Sequence, residues 1–138
     1  MSGTVFLDTS AWFAAVDRRD ARHADAAATH RDLIARRVML HTSNLVVAEL
    51  HALVLRRHGI ATATRLLDGV SAEQLYSVHY VDRDLETASV DRWIRPFRDQ
   101  RFSLTDAVSF EIMRREGIRT AFALDRHFAS AGFELLLG

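Results

Sequence analysis

The 138-residue chain predicts an α/β fold in which an open parallel sheet is wrapped by helices. Two features carry that expectation. Short β-prone apolar runs alternate with segments of helical periodicity from one end to the other, as a series of βαβ units would. The runs are continuously apolar instead of alternating, as strands buried on both faces require. With 49% apolar and 26% charged residues, and no repeat, low-complexity tract or linker, one domain over residues 1–138 is expected.

Thr4–Leu7 is the first buried strand, and Asp8 ends it. From His23, residues Ala26, Ala27, His30, Leu33 and Ile34 recur at threes and fours, a helix expected to stop around Arg36 and Arg37. Residues 38–41 form a second strand, Ser43 or Asn44 caps a helix to about His58, and Gly59 ends it. A helix over 61–67 is expected to stop at Gly69, and residues 74–81 offer a third strand. Asp82 or Asp84 opens a helix containing Leu85, Ala88, Trp93 and Ile94, which the single proline, Pro96, terminates. Residues 97–102 read as a charged loop. Ser103 or Thr105 then caps a helix through Val108, Ile112 and Met113 to Glu116, closed by Gly117. Residues 120–124 form a strand with Asp125 directly after it, 126–130 a short helix, and 134–137 the last strand. Right-handed crossovers bring the carboxyl ends of such strands to one sheet edge, where ligands bind.

The 18 basic and 18 acidic residues cancel, so no global field announces a polyanionic partner. Every basic residue is Arg, which removes P-loop, Schiff-base and receiver-type phosphotransfer chemistry along with the missing lysine. Cysteine is absent, excluding disulfides, thiolate zinc sites, iron–sulfur clusters and cysteine nucleophiles, and suiting a reducing compartment. The longest apolar run, Ala11 to Val16, is six residues, against the ~18 that a membrane span needs. The start of the chain lacks the basic and apolar regions of a secretory leader, so the cytoplasm is the expected location.

Four acids stand where folding alone would not require them. Asp8 and Asp125 each follow a buried strand, although each can also serve as a helix N-cap. Glu49 has Leu45, Val46, Ala52 and Leu53 as helical neighbours, so its carboxylate is expected on an apolar face, held by a cation, paired to an arginine, or protonated. Asp106 lies in the first turn of its helix at capping-box spacing from Ser103. Brought to one sheet edge, four carboxylates repel one another, and a hard divalent cation, Mg²⁺ or Mn²⁺, offsets that. The histidines fit poorly as rival ligands: His23 and His30 are seven apart on a helix, about 10 Å in rise. The chemistry such an ion serves best is phosphodiester hydrolysis.

The stretches Phe6-Leu7-Asp8-Thr9-Ser10-Ala11, Val46-Val47-Ala48-Glu49-Leu50, Leu104-Thr105-Asp106-Ala107 and Ala123-Leu124-Asp125-Arg126-His127-Phe128, in this order and spacing, resemble the PIN-domain ribonucleases, and within them the VapC toxins of toxin–antitoxin pairs. The resemblance covers nearly the whole chain. It implies a PIN-like α/β/α domain with a short central parallel sheet, and a Mg²⁺- or Mn²⁺-dependent endoribonuclease that leaves 5′-phosphate and 3′-hydroxyl ends. By the same resemblance Asp8 and Asp106 are core metal ligands, Glu49 the third acid and Asp125 the fourth, while Ser10 supports the first. It further implies a homodimer and a VapB-like antitoxin, through which alone the complex would bind DNA.

Three alternatives remain open at this stage. A haloacid-dehalogenase-type phosphatase needs a second acid two residues after the first, where this chain has Ser10, and a lysine that it lacks. A non-catalytic PIN-like RNA- or partner-binding module would be expected to have lost acids, and here all four are present. A metal-free ribonuclease using paired histidines would work in chelator. Arg18, Arg19, Arg92, Arg95, Arg98, Arg101 and Arg126 are interleaved with Asp17, Asp20, Asp91 and Asp99, so solvated ion pairs are favoured over assigned RNA contacts.

Overall fold

In the computed structural model, which describes residues 3–137, strand β1 (Thr4–Leu7) is buried from Val5 to Leu7 and occupies the middle of the sheet. Met1, Ser2 and Gly138, which the expected domain also spans, lie outside the described residues. Around β1 stand β2 (Met39–Ser43), β3 (Tyr76–His79), β4 (Thr120–Phe122) and β5 (Glu134–Leu135), all parallel, in the order β3-β2-β1-β4-β5. The chain therefore steps outward from β1 through β2 to β3, then returns across β1 to lay down β4 and β5. Right-handed crossovers that reverse direction place their helices on opposite faces. Helices α1 (Thr9–Val16), α2 (His23–Ala35), α3 (Asn44–His58) and α4 (Ile60–Ala72) pack together, and α5 (Arg83–Ser89), the π-helical turn Val90–Ile94, α6 (Leu104–Glu116) and α7 (His127–Ser130) form a second set. The expected α/β/α sandwich is the result.

The helices start and stop for local reasons. Asp8, Ser43, Asp82 and Ser103 cap α1, α3, α5 and α6 through their side chains. Gly117, at φ 69° and ψ 28°, supplies the left-handed residue that ends α6. Gly69 does not end α4, which runs on to Ala72, because its φ is not positive and the buried stripe continues through Val70. The helix begun at Asp82 widens before Pro96: the Arg95 N–H donates to Val90 O, five residues back, and the Trp93 ring packs against Phe97, Phe110 and Phe133. Among the described residues, no helix is long and apolar enough to cross a membrane.

Glu111 on α6 is fully buried, yet charged. Its carboxylate accepts from Arg114 at 2.8 Å, Arg115 at 2.9 Å and the Trp93 indole at 3.1 Å, with Arg92 3.2 Å away. Burial pushes its pKa up, but the bonds from Arg114, Arg115 and Trp93 outweigh that and hold it at about 2 against an ordinary 4.5. A carboxyl depressed in this way adds stability that is complete above pH 4.5 and is lost as pH falls toward 2. The partner arginines are 43–52% exposed, so screening limits the gain to about 1–2 kcal/mol. Urea titrations between pH 6 and pH 3 should accordingly show a shallower loss of stability in Glu111→Gln than in the parent.

Candidate metal centre and active site

The order of the strands creates a switch point between β1 and β4, where connections leave in opposite directions and a crevice opens at the carboxyl ends. Asp8 leaves β1 at that point and still donates its N–H to Phe122 O of β4. Asp106 enters from the first turn of α6, and Asp125 from the turn after β4. Residues 120–124 are shorter as a strand than expected. The ladder ends at Phe122, so Asp125 stands three residues beyond it, in a turn. The cause is Ser10: its hydroxyl accepts the N–H groups of Leu124 at 2.9 Å and Asp125 at 3.3 Å, taking the place of a strand partner.

The same hydroxyl donates to Asp8 Oδ2 at 2.5 Å, and the Ser10 N–H donates to that oxygen at 3.1 Å. One side chain thus fastens the first acid to the turn carrying the last. Removing it in Ser10→Ala strands two backbone donors and is expected to cost about 1–2 kcal/mol. Thermal melts should detect this, with a loss of nuclease activity that Ser10→Thr partly restores.

Asp106 sits in a reciprocal capping box: the Ser103 hydroxyl accepts from the Asp106 N–H, and Asp106 Oδ2 accepts from the Ser103 N–H at 3.1 Å. Its carboxylate is therefore both a cap and a site group. His127 Nδ1 also bonds Asp106 Oδ2, at 3.0 Å, and stands 3.6 Å from Asp125 Oδ1. Asp125 Oδ1 accepts from the His127 N–H at 2.9 Å. Asp106, Asp125 and His127 each offer a ligand atom within 4.8 Å of the others.

Asp8 is 5% exposed, and its pKa is pushed up from 3.8 to about 6. Burial is the chief cause, the Ser10 bonds oppose it, and the charges of Asp106 and Asp125 add to it. The three aspartates therefore feel one another. Among the described residues, the hydrogen bonds to Asp8 and Asp106 fall on Oδ2 and those to Asp125 on Oδ1, leaving one oxygen of each without a protein donor. Among the described residues, no fully buried side-chain oxygen or nitrogen lacks a partner, so these free oxygens reach solvent. Crowded carboxylates with an outward oxygen apiece are the donor set that a hard divalent cation fits.

Two expectations need correction. Glu49 is exposed, not held on an apolar face. The buried stripe of α3 is Val46, Leu50 and Val54, and Glu49 lies about 100° around the helix from Leu50, at the rim of that stripe. The Thr9 hydroxyl, next in the chain to Asp8, donates to Glu49 Oε1 at 2.8 Å and so ties it to the site's edge; like Asp8, Glu49 lies outside the compact group of Asp106, Asp125 and His127. The second correction concerns His127, which bonds Asp106 although the sequence expectation treats the histidines as poor ligands. Spacing along a helix excluded only His23 and His30 as a pair; adjacency to Asp125 in the sequence was the signal available. Of the arginines, Arg92 and Arg95 do form ion pairs, with Glu111 and Asp91. A cavity of about 640 Å³ lined by Asp17, Arg18, Arg19 and His58 lies at the other end of α1, away from the site's acids.

The family model for the PIN domain matches residues 5–134. The chain belongs to the PIN-domain family. Within it, the chain is 34% identical over 129 residues to the 23S rRNA-specific endonuclease VapC20 of Mycobacterium tuberculosis, spanning 94% of this chain and 95% of that one. The crystal structure of that protein, described as a sarcin-ricin loop cleaving toxin, superimposes with a TM-score of 0.81 over 94% of this chain and 96% of that one. FitAcB from Neisseria gonorrhoeae (TM-score 0.69, 15% identity, 96% of each chain) shares the PIN fold. PAE2754 from Pyrobaculum aerophilum does also, with TM-score 0.64, 21% identity, and 99% and 92% coverage. This PIN protein is a homologue of the VapC-type endoribonuclease toxins.

Proposed function

We infer that this chain hydrolyses RNA with Mg²⁺ or Mn²⁺ held by Asp8, Asp106 and Asp125, with Glu49 contributing from the rim. The observation that supports this reading above all is the single donor-free oxygen on each of the three aspartates at the β1/β4 switch point. A bound ion of this kind polarises a phosphoryl oxygen and supplies the hydroxide for in-line attack. The protein's own part is placement. Ser10 fixes Asp8 against the turn of Asp125, the Ser103 N–H and His127 Nδ1 orient Asp106, and Thr9 steers Glu49. Acid oxygens that reach solvent would accept a folded strand, and the 23S rRNA specificity of the M. tuberculosis relative supports structured ribosomal RNA as the substrate class. The partners follow from the family: a second copy of the chain, and a VapB-like antitoxin that covers the acids and carries the DNA contacts. The cytoplasm, where ribosomes are, is the place of action.

The test is direct. Purified protein incubated with ribosomes in Mn²⁺ or Mg²⁺ should give a discrete set of new 5′-phosphate ends, mapped by primer extension, and excess EDTA should stop their formation. Cleavage that persists in chelator would point instead to metal-free chemistry through the 2′-hydroxyl.

A further inference from the structure

Helix α6 bears ionisable chemistry at both ends. Asp106, in its first turn, belongs to the acid site. Glu116, its last residue, lies ten positions on, about 15 Å along the axis. There it meets two histidines that the nuclease site does not use.

The strands deliver those histidines together. In the parallel register of β2 with β3, His41 stands opposite Ser77 and Ser43 opposite His79. Alternation therefore puts His41 and His79 on one face, diagonally adjacent on neighbouring strands. Tyr76 points to the other face, where it packs edge-on against Trp12 of α1, so the two imidazoles face the α6 side. Their rings stack with centroids 5.1 Å apart, and His41 Nδ1 lies 2.8 Å from His79 Nε2. One atom each from His41, His79 and a Glu116 carboxylate lies within 4.8 Å of the others. Both rings are half-buried and Glu116 is exposed, so the group is open to solvent on one side.

Two ring nitrogens at that distance share a single proton, so one of them presents a lone pair. Several features favour a cation in the proton's place. The carbonyl end of a helix attracts positive charge, Glu116 adds a full negative charge, and no guanidinium is within ion-pairing distance of Glu116 among the described residues. Imidazole with carboxylate selects zinc and its neighbours over Mg²⁺. Nitrogens bound tetrahedrally at ~2.0–2.1 Å stand about 3.3 Å apart, so the pair needs to open by only a few tenths of an ångström. Two histidines and a glutamate also leave a fourth position for water.

We propose that His41, His79 and Glu116 form a second cation site, taking Zn²⁺ or a similar imidazole-preferring divalent ion, which clamps the carboxyl end of α6 to β2 and β3. It is separate from the acid cluster and does not depend on the nuclease assignment. The test uses an Asp106→Asn/Asp125→Asn protein, stripped of metal, so that the other ligand group is disabled. Calorimetric titration with ZnCl₂ should give one equivalent bound. Adding Glu116→Gln, an exposed change that leaves packing untouched, should weaken binding at least about tenfold, the lower bound for losing a group that tunes a metal site. Adding His79→Ala should remove binding, with circular dichroism reporting the fold. No zinc bound in the doubly substituted background, or zinc bound equally well with Glu116→Gln, would overturn the proposal.

Discussion

Asp106→Asn is expected to lower RNA cleavage by about 10²–10³-fold or more, the scale of removing one electrostatic element from a preorganised site. The fold should survive. An asparagine oxygen can still accept the Ser103 N–H, so the capping box that starts α6 keeps its geometry while the charge is gone. Cleavage of a labelled ribosomal fragment in Mn²⁺, set beside a thermal melt in EDTA, separates the two effects. Wild-type turnover in this variant would remove Asp106 from the site.

Asp8→Asn should do the opposite to stability. The folded carboxyl keeps its proton up to about pH 6, whereas the unfolded one releases it near 3.8. Between those values the native state binds more protons, so the contribution of this group to stability is greatest below pH 3.8 and is lost as pH rises through 6. A shift of about two pKa units corresponds to about 3 kcal/mol. Asparagine does not ionise and escapes this loss. In metal-free buffer at pH 8 the variant should therefore be more stable by up to about 3 kcal/mol, and the difference should vanish near pH 3.5. Saturating Mg²⁺ should reverse the order, because it binds and stabilises only the parent. A stability difference that is flat with pH would mean that Asp8 is not charge-strained.

Most of the architecture was legible because local chemistry and global fold agree. Asp82 and Ser103 cap where expected, Gly117 turns left-handed, and the apolar runs pair in parallel. What escaped the sequence depends on contacts between distant residues. The end of β4 is set by Ser10, more than a hundred residues away, so no pattern within residues 120–124 foretells it. Gly69 carries no mark that separates a helix-interior glycine from a terminating one, and the π-helical turn answers to the partners of Trp93. At the site, Asp8 and Asp125 could be placed by the strand ends they follow, and Asp106 by the first turn of its helix. Glu49 could not, because three- and four-residue spacing names its neighbours but not the edge of the buried stripe. His127 became meaningful only when α6 brought Asp106 beside it.

The Ser10 hydroxyl joins residues separated by 114 and 115 positions, and β4 slots in beside β1 only after β2 and β3 have been laid down on its far flank. A nascent chain leaving the ribosome amino end first has Asp8 and Glu49 early, yet lacks the turn that completes the ligand set until nearly all of it has emerged. Copies cut short before Asp125 would lack the last acid of the proposed ligand set, and RNA cleavage by them is expected to be lost.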